Sequence, residues 1–107
     1  MKLNKKQLLF VQLLKTSKPK ERRLLLAGVE NDVIKMFTEI IYNLLHGNVH
    51  LRSDKKRKLR KYKQILRNLS NHTISLDRKR TLLQGQRGGS LFPILLPIIS
   101  SVASRLL

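Results

Sequence analysis

From Ser90 to Leu107 the chain carries a single charged side chain, Arg105, whereas the residues before Gly88 are dominated by lysine and arginine. Any fold built from this sequence must house an apolar segment beside a surface that repels itself. The two parts meet at Gln86-Arg87-Gly88-Gly89. Glycine gives the backbone its greatest freedom, so the pair Gly88-Gly89 reads as a joint. On this reading the chain divides into a basic helical domain over residues 1–84, a glycine-containing linker over 85–90 and an apolar, amphipathic tail over 91–107.

The basic part is written in helical periods and contains no convincing strand. Leu9, Phe10, Leu13 and Leu14 alternate with Lys5, Lys6, Gln12 and Lys15 at helical spacing, which predicts a first helix. Pro19 suits the first turn of a second, which runs to about Ala27 and stops at Gly28. The best-marked helix spans about Asp32 to His46, with Asn31 as its candidate cap and Gly47 at the left-handed position after its end. Its stripe of Val33, Met36, Phe37, Ile40, Ile41 and Leu44 steps by three and four residues, which places this helix at the centre of the core. Asn48-Val49-His50-Leu51 reads as an extended connector. Ser53 and Asp54 then form a capping pair for one long helix ending near Asn71, with Leu59, Tyr62, Leu66 and Leu69 as its inward stripe. Ile74 to Arg80 repeats the order of anchor, acid and cations, as a degenerate repeat or by coincidence. The expected fold is all-α, a small bundle of four or five helices with a glycine hinge and an apolar carboxy-terminal segment.

Charge narrows the partners. Lysine and arginine total 23 against 6 aspartate and glutamate, a formal net charge of +17 in 107 residues. Such a chain opposes its own compaction unless a polyanion neutralises it. Nucleic acid fits best, because neutralising phosphates releases counterions; an anionic membrane or an acidic protein are the other candidates. The aromatic share of 5% argues against a single-strand binder built on stacked rings, and the absence of cysteine excludes disulfides and thiolate metal sites. The amino terminus does not read as a secretory signal, because Gln7, Gln12 and Lys15 interrupt its apolar stretch.

The strongest binding signal is the run Arg52, Lys55, Lys56, Arg57, Lys58, Arg60, Lys61, Lys63 and Arg67, which a helix can present to one phosphate backbone. Lys55-Lys56-Arg57-Lys58 also fits a nuclear-import pattern, and a helix-turn-helix with Ser53 to Ser70 in the groove is a further alternative. Arg78, Lys79 and Arg80, with Arg87, form a second candidate cluster; Lys18, Lys20, Arg22 and Arg23 form a third. His46, His50 and His72 lack ligand spacing, so no metal or other cofactor is expected. Glu21, Glu30, Asp32, Glu39, Asp54 and Asp77 form no paired acid site, and no enzyme is expected.

In the tail, Leu91, Phe92, Leu95, Ile98, Ile99 and Val102 are the candidate contacts to a membrane or a hydrophobic partner, with Leu106 extending the stripe. The segment is shorter than the roughly 20 apolar residues of a membrane span and carries Pro93 and Pro97, so the expectation is interfacial insertion. Docking of the tail on the helical domain is the alternative.

The segment Arg87-Gly88-Gly89-Ser90-Leu91-Phe92-Pro93-Ile94-Leu95-Leu96-Pro97-Ile98-Ile99 resembles the carboxy-terminal part of the adenovirus core protein mu precursor. With Asn43 to Leu51, Lys56 to Lys61 and Gln86 to Gly89, the longer pattern is similar to mu-like proteins of adintovirus and Maverick-type elements. The resemblance implies a late virion core protein that binds and condenses double-stranded DNA, found in the virion core and the host nucleus. It also implies a viral cysteine protease cutting between Gly89 and Ser90; the apolar tail is in turn expected to meet the inner capsid surface or membrane. Two other readings stay open: a membrane-active virion protein used in entry, and a chromatin-associated regulator with a preferred site.

Overall fold

Asn4 starts the first helix with a reciprocal cap. Its side chain accepts from the Gln7 amide at 2.8 Å, and Gln7 Oε1 accepts from the Asn4 amide at 3.0 Å, which satisfies two donors that a helix start leaves bare. The structure, a computed structural model, describes residues 3–47 and 50–105, with the backbone alone at 86–90 and 103–105. Among the described residues the chain forms seven helices and no strand: α1 (Lys5–Thr16), α2 (Pro19–Gly28), α3 (Asn31–Leu45), α4 (Ser53–Arg60), α5 (Lys63–Ser70), α6 (Leu76–Gln84) and α7 (Gln86–Arg105).

The all-helical expectation holds, the first helix forms where its periodicity placed it, and the second and third fall within a residue or two of their expected bounds. Gly47 has φ +71°, the left-handed backbone that glycine adopts without a Cβ penalty, and it follows α3 directly. The cap of α3 differs from expectation: Glu30 occupies that position without a side-chain bond, and Asn31 is already helical. α3 buries Val33, Ile34, Met36, Phe37, Thr38, Ile40 and Ile41, a wider face than the expected stripe because it is packed by α1, α5 and α6.

The count of four or five helices is corrected by two events. First, the long basic helix is broken at Lys61 and Tyr62. The Tyr62 amide bonds to the Leu59 carbonyl at 2.9 Å, and Tyr62 itself leaves helical geometry at φ −107°, ψ 17°. The two halves bury their apolar residues in different places: α4 packs on α7, whereas Leu66 and Leu69 of α5 are buried where that helix packs on α3. Like charges four residues apart, such as Lys56 with Arg60 and Arg57 with Lys61, also weaken a continuous helix there. Ser53 and Asp54 do not cap α4, whose first turn is preceded by Arg52 without a side-chain bond. Of the expected connector, Asn48 and Val49 lie outside the described residues.

Second, the tail is a helix of the core. Leu91, Phe92, Leu95, Ile98, Ile99 and Val102 are all buried, together with Leu96. They step by three and four residues and face α1, α2, α4 and α6. The Phe92 ring meets Phe37 edge-on, with centroids 6.3 Å apart at 71°, a favoured aromatic geometry. Contact of these residues with lipid or another protein is therefore replaced by contact with the chain's own helices. The reason is arithmetic of burial: a chain this small hides a modest share of its surface, and the apolar stripe completes a core that α1–α6 leave open. Pro93 and Pro97 lie inside α7 on its exposed side, four residues apart, where the hydrogen bonds they remove are within reach of water. The glycine joint is absorbed as well, since Gly88 and Gly89 fall within the span of α7, and Gly85, the cap of α6, is the one residue between the two helices. Leu106 lies outside the described residues. The radius of gyration, 12.6 Å, is close to the roughly 13 Å of a folded 100-residue chain.

If α7 completes the core, truncating it costs stability. Phe92→Ala should lower the unfolding free energy by about 3–5 kcal/mol and Ile99→Val by about 1 kcal/mol, measured by urea denaturation. A tail independent of the domain predicts no change for either.

Candidate nucleic-acid interface

α4 has one buried residue, Leu59, and everything else about it follows from that economy. With Tyr62 half-buried behind it, the helix is pinned by its end, and the remaining positions face outward. Arg52, Lys56, Arg57, Lys58, Arg60, Lys61, Lys63 and Arg67 are exposed, and Lys55 is half-buried. The expected inward stripe of Leu59, Tyr62, Leu66 and Leu69 is the face turned to the core. In this stretch the acid is Asp54, whose carboxylate lies 3.5 Å from Arg52 Nε. Both of those side chains are largely in water, so the pair adds little to stability. The other cations of α4 and α5 project from the turns of two short helices that meet at Tyr62. This basic ridge is broken at Tyr62, so it is not the single straight helix that a helix-turn-helix lays in a groove.

The second cluster divides. Arg78 is exposed, but Lys79 and Arg80 turn inward. Lys79 is 2% exposed, and its Nζ donates to Thr38 Oγ1 at 2.9 Å, with the Thr38 hydroxyl donating onward to the Ile34 carbonyl at 3.2 Å. Burial lowers the Lys79 pKa, against a smaller opposing pull from the Glu39 carboxylate. Arg80 fastens the α2–α3 corner: Nη1 donates to the carbonyls of Leu26 and Val29, and Nη2 donates to Asn31 Oδ1 at 2.9 Å. Three acceptors in the guanidinium plane use the fork that makes arginine hard to replace by lysine. These two residues leave the expected phosphate-binding set because their donors are occupied inside the protein. Sequence reasoning read Arg78-Lys79-Arg80 as one cationic run; the signal against it was the stripe Leu76, Lys79 and Leu83, which places Lys79 on the same face as the buried leucine.

Of the third cluster, Lys18, Lys20 and Arg23 are exposed, whereas the Arg22 guanidinium sits 5.7 Å from the centre of the Phe92 ring, a cation–π contact at the core's edge. The side chains of Arg87 and Ser90 lie outside the described residues, and at the expected cleavage point between Gly89 and Ser90 the backbone alone is described. His46 Nδ1 donates to the Tyr42 carbonyl at 2.8 Å and stacks on the Tyr42 ring, which His72 meets edge-on. His72 Nε2 donates to Glu39 Oε1 at 3.0 Å. Among the described residues no three histidine or acidic side chains gather closely enough to hold a metal ion, and no helix is long and apolar enough to cross a membrane.

Comparison with family models, with curated proteins and with solved structures finds no match to this chain.

Lys79 supplies a test of the inward placement. Its folded pKa lies below the usual lysine value of 10.5, so at pH values beneath 10.5 the unfolded chain holds more protons at this site than the folded one. Stability from this residue therefore improves as pH rises through that window. Urea denaturation at rising pH beneath 10.5 should show a smaller gain in stability for Lys79→Met than for the parent chain, because the variant has lost that proton linkage. Equal slopes would place the Lys79 ammonium in water.

Proposed function

We propose that the protein binds double-stranded DNA without sequence preference and compacts it, as a minor core component of a virion. The observation that supports this most is the α4–α5 ridge, where Arg52, Lys56, Arg57, Lys58, Arg60, Lys61, Lys63 and Arg67 stand exposed around a single buried leucine in α4. Cations presented in this way contact phosphate oxygens and are indifferent to base identity. Lys55 and Arg78 extend the set at its margins. The role is one of binding, with no catalytic step. The virion setting, the nuclear phase and the viral protease rest on the resemblance to mu-like proteins. Cleavage between Gly89 and Ser90 would require the first turn of α7 to unwind, so on this proposal it acts on a chain not yet folded or on one opened by assembly.

Burial of the α7 stripe favours packaging over the membrane-active reading, since insertion would remove Leu95 and Ile99 from the core. The proposal is tested by titrating random-sequence duplex DNA across a salt series. Between about 50 and about 200 mM salt, affinity should fall by about 10³-fold or more, and equally for unrelated sequences, as for a protein neutralising six or more phosphates. The triple variant R57Q/K58Q/K61Q, altered only on exposed positions, should lower the slope of log affinity against log salt by about 2 to 3. A footprint at one defined sequence, or affinity insensitive to salt, would contradict the proposal.

A further inference from the structure

The break between α4 and α5 leaves an opening. α5 lies along α3, but α4 turns away to pack on α7, so the carboxy-terminal end of α3 and the inner side of α4 diverge. Between them is a cleft of about 640 Å³. Its floor is apolar, made by Leu44, Leu45, Leu59 and Leu66, and Leu45 is 39% exposed where the cleft meets solvent. Lys56, Arg60 and Lys63 make its rim cationic, His50 stands beside them, and among the described residues no acidic side chain lines it.

That volume lies in the range of small-molecule sites, about 300–1,000 Å³, and the combination of an apolar lining with a few convergent polar groups is what such sites share. The distribution of chemistry is specific. Lys56 and Arg60 sit four residues apart on one side of α4, and Lys63 begins α5 across the bend, so the cations converge on the mouth from two helices. An apolar solute without charge would leave the rim unused, and a phosphate without a chain would leave the leucines in water. Both demands are met by one molecule with an anionic head and one aliphatic chain.

We infer that this cleft is a binding site for a free single-chain anionic amphiphile, its chain against Leu44, Leu45, Leu59 and Leu66 and its phosphate or carboxylate head between Lys56, Arg60 and Lys63. The inference goes beyond DNA binding and does not depend on it. The two activities meet at the rim, because Lys56, Arg60 and Lys63 also belong to the phosphate-binding ridge. An occupied cleft would take those cations away from DNA, making the amphiphile a competitor that loosens the complex.

The test is calorimetric titration of the full chain with dodecyl phosphate below its micellar concentration, with butyl phosphate as the short-chain comparison. Dodecyl phosphate should bind one per chain and at least about 50-fold more tightly than butyl phosphate, since each buried methylene is worth about fourfold. Leu45→Gln, at a position exposed enough to leave the fold intact, should weaken dodecyl phosphate by about 5- to 10-fold and leave DNA affinity unchanged. R57Q/K58Q/K61Q, whose altered residues do not line the cleft, should weaken DNA and keep dodecyl phosphate binding. Equal affinity for the two phosphates, many equivalent sites per chain, or full binding by Leu45→Gln would overturn the inference as attraction to surface charge alone. So would association seen only with vesicles of anionic phospholipid and never with the monomeric amphiphile.

Discussion

The packing of the α7 stripe against the other helices is the interaction on which the rest of the molecule depends. α7 touches α1, α2, α4 and α6, and α6 is the helix that carries both Lys79 and Arg80 into the interior. Remove α7, and Phe37 loses its aromatic partner, α4 loses the surface it packs on, and the basic ridge loses its anchor at Leu59. The orientation of the cations is thus set from the apolar end of the chain. Hydrophobic burial does not specify direction, but the three- and four-residue steps of the stripe do, because they limit which face of α7 can be covered.

Against that cohesion stands a charge of +17. Among the described residues the fold keeps most cations at the surface, and Lys79 and Arg80, whose donors are occupied inside the protein, are held differently. Arg80 finds three oxygen acceptors at a helix corner, so its donors are satisfied within the protein. Lys79 finds one hydroxyl, and its pKa moves down because burial disfavours the ammonium. Lys6, in water and paired with Glu30, moves the other way, raised chiefly by that hydrogen bond. The remaining positive field has no internal answer. A bound polyanion would lower the self-repulsion that the core otherwise opposes alone, and would raise stability through mass action.

Local signals were legible where one residue type performs one physical task. Pro19 at a helix start, Gly47 with its positive φ and the stripe of α3 could all be read directly. The bend at Tyr62 could not, because no glycine or proline marks it; it arises from α4 and α5 packing on different helices, a tertiary preference that overrides local propensity. The destination of the tail was also illegible. Its amphipathic period shows that one face must be covered and is silent on whether lipid, a partner or the chain itself covers it. Gly88-Gly89 strengthened the reading of a joint, yet a helical span can cross glycines at a cost of about 1 kcal/mol each when tertiary contacts supply it. Of the basic clusters, the run on α4 and α5 was correctly read as surface, since its only regular apolar positions are the inward stripe. Lys79 was misread because a lysine count takes no account of helical face.

Native-state amide hydrogen exchange tests most directly whether α7 belongs to the core on which the basic ridge is mounted. The amides of Leu95, Leu96, Ile98 and Ile99 should open with the same free energy as those of Ile40 and Ile41 in α3, as parts of one cooperative unit. Exchange of the α7 amides at rates of an unfolded chain, with α3 still protected, would contradict the account and return the carboxy-terminal segment to the status of a free tail.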